Sequence, residues 1–376
     1  MQRKKCSIGL AVAILTVTLL VAGASAVAQE QVLYDFNLNK YGATPYGALI
    51  TDGAGNLYGT ASEGGPSDHT GTAFELVKPA TGKNWGKPKV LHSFSDTDSA
   101  KNGAEPYAAL ISDASGNLYG TTHIGGEYGD GTVFELVRPT TGTAWKCGLL
   151  HSFDNNGTDG SEPAYANLLL DSAGNLYGTT YYGGANNAGV VFELVKPTTG
   201  KIWKESILHT FNNPADGTDG ANPSAGLAFD GSGNLYGTTT YGDTNGLYNA
   251  GTVFELSPNG SGGWNESVLY SFGSYSTDGV FPYSGLTVDT IGNLYGTTSQ
   301  GGTGGGTGIG PGTVFELSFN GGEGWTESLL HSFSNNGTDG FEPYSGVVLD
   351  TATGKLYGTT PGGGTYMYGA VYEVTP

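Results

Sequence analysis

The chain has only two cysteines, two methionines and six histidines in 376 residues, and 15 Lys and Arg stand against 34 Asp and Glu. Each shortage excludes something. Cys6 lies ahead of the apolar run from Ile8 to Gly23 and is lost with it if that run is cleaved. Cys147 then stands alone, which rules out an intrachain disulfide and thiolate metal sites. So acidic a chain is a poor partner for nucleic acid, because neutralising phosphates takes a basic surface. Anionic membranes and polymers are disfavoured for the same reason. After residue 30 no apolar stretch is long enough to span a bilayer, and none has the apolar periodicity of a long helix. The GxSxG and HExxH signatures are missing. Gly301 to Gly310 lacks the Lys and Ser/Thr of a phosphate loop and leads into a strand.

The beginning of the chain differs from the rest. Arg3, Lys4 and Lys5 precede the apolar run, and Ala26-Val27-Ala28 offers a small-residue cleavage site. Residues 1–28 are read as a secretory signal peptide and 29–376 as a single domain. The alternative, an uncleaved anchor, needs roughly 20 apolar residues, more than this run supplies. Cleavage removes three bases and no acid, so the mature chain is more acidic still. It is expected outside the cytoplasm, secreted or in the periplasm or cell envelope, with no stable membrane insertion, and as a monomer.

What the chain has in abundance is glycine, 66 residues, together with 16 Pro, 23 Tyr, 15 Phe and five Trp. This is a turn-rich composition that still carries enough apolar and aromatic surface for a core. The string LYGT begins at Leu57, Leu118, Leu176, Leu235, Leu294 and Leu356, at intervals of about sixty residues. Each copy sits in the same order of pieces: a Pro and an apolar run ending in Asp, a Gly turn, LYGT, a Gly-rich loop, a VFEL-like strand and an LLHSF-like strand. In unit five these give strands a (Tyr283 to Asp289), b (Asn293 to Ser299), c (Gly312 to Ser318) and d (Ser328 to Phe333). Four short antiparallel strands repeated six times predict an all-β fold, a six-bladed β-propeller. The chain opens with a lone d-type strand, Val32 to Phe36, and ends after a c strand. The N-terminal strand is therefore expected to close the last blade.

The stretch PYSGLTVDTIGNLYGTTSQGG, followed by GTVFEL and LLHSF, resembles the tandem repeat named GloVer, found in exported bacterial proteins. All six units match. Its P-x-x-GL-x-x-D-x-x-GNLY segment is also similar to NHL-type six-bladed propellers. The resemblance implies a fold and no particular chemistry, since propellers host enzymes, lectins and docking platforms.

Residues present in every blade are read first as scaffold. Asp52, Asp113, Asp171, Asp230, Asp289 and Asp350 end strand a beside a Gly turn, where Asp bonds turn amides. The Gly of LYGT, such as Gly178, marks a close approach by a neighbouring strand. Strand c repeats Glu75, Glu135, Glu193, Glu255, Glu316 and Glu373. Strand d carries His92, His151, His209 and His331, with Tyr34 and Tyr270 at the equivalent places. Each His or Tyr is expected to bond the Glu of its adjoining c strand. Trp85, Trp145, Trp203, Trp264 and Trp325 are expected to cover the blade edges.

Alternating strands put the b–c and d–a loops on one face, and these loops vary most, as binding loops on a rigid frame do. The d–a loops place Glu105, Glu162 and Glu342 just before the Pro that opens strand a, with Tyr46, Tyr107, Tyr283 and Tyr344 just after it. The b–c loops add His69, His123, Tyr181 and Tyr182. Phenol faces stack on sugar C–H surfaces while acids take the hydroxyls, so Tyr46, Tyr107, Tyr181, Tyr283 and Tyr344 are the candidate ligand-binding residues.

The leading expectation is a non-catalytic propeller binding a glycan or an extracellular protein. A polysaccharide-active enzyme, a glycoside hydrolase or lyase, is the alternative, with Glu105, Glu162, Glu342 and His123 as candidate catalytic groups. A structural envelope or matrix role is the third reading. No metal site and no cofactor is predicted. His69 and His123 lie in corresponding loops without ligand-type spacing, and the stretch Asp96 to Gly103 begins like a calcium loop but lacks the closing acid.

Overall fold

The computed structural model describes residues 32–36, 40–66, 70–82, 84–95, 103–163, 165–212, 219–242, 249–303, 309–334 and 336–376. The leader, His69 and residues 96–102 of the calcium-like stretch lie outside them. The chain divides into two units, Met1–Leu33 and Tyr34–Pro376, and all the sheets belong to the second. No helix among the described residues is long and apolar enough to cross a membrane.

The fold is an all-β propeller of six blades. Blade 1 comprises strands a to d at Ile50–Thr51, Leu57–Ala61, Thr72–Leu76 and Lys89–Ser93, hydrogen-bonded in that order. Blades 2 to 5 repeat the order with b strands at Leu118–Thr122, Leu176–Thr180, Leu235–Thr239 and Leu294–Thr298. Strand a pairs over only two residues in each of these blades, as Thr287–Val288 does in blade 5. It is shorter than its sequence pattern suggests because the stretch after the proline turns to the neighbouring blade. A Cβ on Gly226 would come within 2.9 Å of the Asn167 carbonyl, and one on Gly285 within 3.0 Å of the Gly226 carbonyl. Consecutive a segments thus meet backbone to backbone, which places them on the inside of the ring.

The repeated letters of LYGT divide the packing between them. Leu118, Leu176, Leu235 and Leu294 are buried in the interfaces between blades. A Cβ on Gly178 would lie 2.6 Å from the Phe192 ring, so what crowds this glycine is an aromatic side chain from strand c. The Thr stitches blade to blade: Thr60, Thr179, Thr238 and Thr297 donate to Ala108, Ala225, Ser284 and Ser345 carbonyls at 2.9–3.0 Å. The tryptophans pack into the same interfaces, Trp145 against Tyr58 and Trp203 against Tyr119, at ring separations of 6.3 Å. They seal the joints between blades and are not edge covers.

One aromatic contact marks each joint. Phe94, Phe153, Phe211 and Phe272, each just after strand d, meet Phe134, Phe192, Phe254 and Phe315 of the following blade in tilted to edge-on contacts at 5.0–5.2 Å. Phe36, near the N-terminus, meets Phe74 of blade 1 at 5.2 Å in the same relation. The N-terminal segment therefore takes the place of a d strand against blade 1 by packing. Residues 32–36 join no ladder, and the last sheet has three strands, Val348–Asp350, Lys355–Thr360 and Ala370–Val374. That blade is also the least covered. Val371 is 80% exposed, where Val133, Val191, Val253 and Val314 are fully buried.

Candidate functional site

The site is built on one backbone device. The residue before the strand-a proline has a positive φ in every blade: Thr44 (57°), Glu105 (57°), Glu162 (56°), Asn222 (55°), Phe281 (60°) and Glu342 (57°). Side chains rarely adopt this conformation, and holding it costs of order 1–3 kcal/mol. Two hydrogen bonds hold it here. The Glu162 amide donates to the Asp130 carbonyl of the preceding blade at 2.9 Å, and its carbonyl accepts from the Tyr181 amide at 3.2 Å. Glu105 is held likewise by the Thr70 carbonyl and the His123 amide. The loops at one end of the ring are thus laced together through the backbone; of the side chains at these positions, Asn222 donates to the Tyr181 carbonyl at 2.9 Å and Phe281 packs into the joint between blades.

The phenols of the d–a and b–c loops form two arcs. In the first, Tyr107 lies between Tyr46 and Tyr165, 5.3 Å from each, with the His123 ring 5.5 Å away. Tyr46 and Tyr165 are mostly exposed. The Tyr107 hydroxyl donates to Glu105 Oε2 at 3.1 Å. Burial, and then the Glu105 carboxylate, push this phenol up to about 12. His123 Nδ1 is buried with no hydrogen-bond partner. In the second arc Tyr241 sits close to both Tyr181 and Tyr283, and Tyr283 meets Tyr344 at 5.5 Å. Burial, then Tyr241, raises Tyr181, and the same two causes push Tyr283 up to about 12.

All five tyrosines named from the sequence therefore belong to one arc or the other. Glu105 and His123 join the first arc, and Glu342 lies near enough to Tyr344 to raise its phenol, after burial. No hydrogen bond or ion pair connects Glu105, Glu162 and Glu342 to one another among the described residues. Sequence reasoning missed Tyr165 and Tyr241. The first is displaced by one residue from its repeat position, in EPAYA instead of EPYAA. The second stands where Tyr182 does in the preceding unit, a correspondence that alignment of the units contains.

The Glu of strand c does not meet the His of strand d. It lies directly opposite the LYGT tyrosine, as in the Tyr119–Glu135 pair, and that phenol takes its carboxylate. Tyr58 Oη lies 3.1 Å from both Glu75 Oε1 and Asp52 Oδ2, and Asp52 also accepts from the Ala54 and Asn56 amides. This network recurs through blade 5, which gives the repeated Asp its turn-binding role. The histidines turn instead to an Asp in the d–a loop. His151, His209 and His331 pair with Asp159, Asp219 and Asp339 at 3.0–3.1 Å, and Tyr270 donates to Asp278 at 3.0 Å. The recurring TDG that follows strand d, at Asp159, Asp219, Asp278 and Asp339, was the available signal.

With this geometry the sequence matches the model of the Gloeobacter/Verrucomicrobia repeat twice, over residues 21–216 and 195–376. The chain belongs to that repeat family. No curated protein matches it. Among solved structures, the repeat protein is similar in fold to a luciferin-regenerating enzyme, at 15% identity and TM-score 0.48, over 89% of this chain and 92% of that one. It is similar to a gluconolactonase from Xanthomonas campestris at 14% identity and TM-score 0.45, over 89% and 87%. A polysaccharide lyase, ulvan lyase, follows at 15% identity and TM-score 0.47, over 79% and 74%.

Proposed function

We propose that this protein is an exported β-propeller that binds a neutral glycan at the tyrosine-lined mouth formed by its b–c and d–a loops. The observation that carries the reading is the run Tyr46–Tyr107–Tyr165, three neighbouring rings at 5.3 Å intervals on the inner rim. Such a run offers stacking surface along a chain of sugar rings, and the Glu105 carboxylate beside it is positioned for hydroxyls. The acidic composition agrees with a neutral polymer in preference to an anionic one. The leader supports export, and the protein works as a monomer without a cofactor at this mouth.

Catalysis by the same mouth is the second reading, favoured by the Tyr107–Glu105–His123 grouping, whose members are those a lyase or hydrolase would use. Two features weigh against it. Hydrolysis needs two carboxylates about 5–10 Å apart across the bond, and Glu105 is already engaged by Tyr107. A phenol pushed up to about 12 stays protonated at neutral pH, so it donates and does not abstract a proton.

The deciding experiment incubates the chain from residue 29 onward with neutral and acidic polysaccharides, with and without calcium, and follows polymer retention and soluble products by mass spectrometry. Retention of a neutral polymer without products is expected, and Tyr107→Ala with Tyr165→Ala should abolish it. Released fragments would move the assignment to an enzyme. Neither retention nor products would overturn the glycan reading in favour of a protein partner or a structural role.

A further inference from the structure

At the outer part of the joint between blades 2 and 3, three side chains from three segments converge. His151 comes from strand d of blade 2 (Lys146–Ser152), Asp159 from the loop after it, and Glu205 from strand d of blade 3 (Lys204–Thr210). His151 Nε2 lies 3.1 Å from Asp159 Oδ2 and 3.2 Å from Glu205 Oε1, and one donor atom from each residue falls within 4.8 Å of the other two. All three side chains are largely buried, at 18%, 10% and 18% exposure.

Two carboxylates face one imidazole, and neither Lys nor Arg forms an ion pair with the group among the described residues. Asp159 is fixed in place by amides: Asp154 donates to Oδ2 at 3.0 Å and Gly160 to Oδ1 at 2.6 Å. Glu205 Oε1 is fully buried without a hydrogen bond of its own, and the polar atom beside it, His151 Nε2 at 3.2 Å, is already taken by Asp159. A buried carboxylate oxygen that must share its one donor is costly unless something positive completes its surroundings.

We propose that His151, Asp159 and Glu205 bind a divalent transition-metal cation of the zinc class, bridging blades 2 and 3. One imidazole nitrogen and two carboxylate oxygens form a donor set that zinc accepts, with metal–ligand bonds of about 2.0–2.2 Å. Ligand atoms around such an ion stand roughly 3.3 Å apart in a tetrahedron, close to the two separations already present. His151 and Asp159 also line an open depression of about 420 Å³ together with Glu127, Asp154 and Asn156, while Glu205 lies outside it. Water, or an oxygen of a ligand in that depression, completes the shell. Because the carboxylates come from adjacent blades, the ion also acts as a clip between them.

The repeat supplies its own controls. His209 pairs with Asp219 at 3.0 Å, and Glu266, whose Oε1 is likewise buried without a hydrogen bond, stands at the Glu205 position, but among the described residues no third donor atom closes on that pair, so convergence and not the bare oxygen sets the 2–3 joint apart. At the next joint Tyr270 replaces the histidine, and Glu327 Oε2 accepts instead from Tyr275 at 2.9 Å. The sequence alone could not single out the 2–3 joint, because His151 and Glu205 are 54 positions apart and their counterparts recur in other units.

The test is titration of the chelator-treated mature protein with zinc chloride by calorimetry, alongside its thermal transition. One zinc per chain is expected at micromolar or lower dissociation constant, with a rise in the unfolding temperature. Glu205→Gln and His151→Ala should each weaken binding at least tenfold and remove the zinc-dependent rise. His209→Ala should leave both unchanged. Cobalt(II) in place of zinc should give visible d–d absorption in the wild type that Glu205→Gln loses. Equal loss in His209→Ala, titration of wild type and Glu205→Gln alike, or no binding below millimolar zinc would each overturn the proposal.

Discussion

The Tyr107 hydroxyl donates to the Glu105 carboxylate at 3.1 Å, with a single proline between the two residues. The proline fixes one backbone angle and the positive φ of Glu105 fixes another, so donor and acceptor are brought together by the chain itself. Phenol, carboxylate and the neighbouring rings therefore form a pre-organised patch, and a ligand binding there loses little entropy in ordering it.

Tyr107→Phe tests that patch with the smallest change. It removes the hydroxyl and keeps the ring, so retention of the glycan should weaken about three- to tenfold, the worth of roughly one net hydrogen bond. Tyr107→Ala also removes the stacking surface and should weaken it further. Affinity electrophoresis or calorimetry with the retained polymer checks both. Equal affinity for wild type and Tyr107→Ala would remove this arc from the binding site.

The backbone strain predicts a variant that gains stability while losing function. Glu105→Gly places at φ +57° the one residue that adopts it without steric cost. After the extra flexibility of the unfolded chain is subtracted, stability should rise by about 0.5–1 kcal/mol. Retention should fall because the carboxylate is gone. Urea unfolding read alongside glycan retention separates the two effects.

Glu266 predicts a pH dependence. Burial raises its carboxyl to about 7, with His209 opposing and Asp219 adding to the shift. In the unfolded chain the same group titrates near 4.5. Between these values the folded state binds more protons, so this group's contribution to stability is full below about 4.5 and is lost as pH rises through about 7. Glu266→Gln should unfold like the wild type at pH 4.5 and be more stable at pH 8. The gain should be on the order of 1 kcal/mol, discounted because much of the side chain is solvated. Thermal unfolding at the two pH values checks it, and a variant less stable at pH 8 would contradict it.

The Phe36–Phe74 contact gives the N-terminal segment a measurable share in holding blade 1. Phe36→Ala should cost about 1–2 kcal/mol, less than a fully buried phenylalanine because Phe36 is only half-buried. Chemical denaturation measures it. An unchanged midpoint would mean that the segment detaches without consequence.

The propeller was legible because its signal is written six times: LYGT, the aspartate turn and the strand-d phenylalanine each recur at a period that only a repeat explains. The adjacency of Tyr46 to Tyr107 and of Tyr283 to Tyr344 was legible too, since a proline fixes the place of each at the start of strand a. Other features depend on contacts between units. The carboxylate of Glu75 goes to Tyr58 because of cross-strand register, and register is not visible in the spacing of letters within one strand. The turn of the histidines toward the TDG aspartates depends on how a loop folds back, and the approach of Glu205 depends on the angle between two blades. Tyr165 escaped notice because one residue of slippage moved it out of the repeat frame.

The lacing at the residue before each proline bears on how this surface can change over time. Amide and carbonyl do most of the holding there, and the six units carry Thr, Glu, Glu, Asn, Phe and Glu at the one position, where among the described residues only Asn222 and Phe281 add a side-chain bond or core packing of their own to the joint between blades. Such a rim behaves as an alphabet whose acidic letters, Glu105, Glu162 and Glu342, can be replaced around one opening while the backbone lacing stays. Duplication supplies the frame, point substitution at a single position per unit rewrites the specificity, and the strain already present means that a new side chain inherits its direction along with its place.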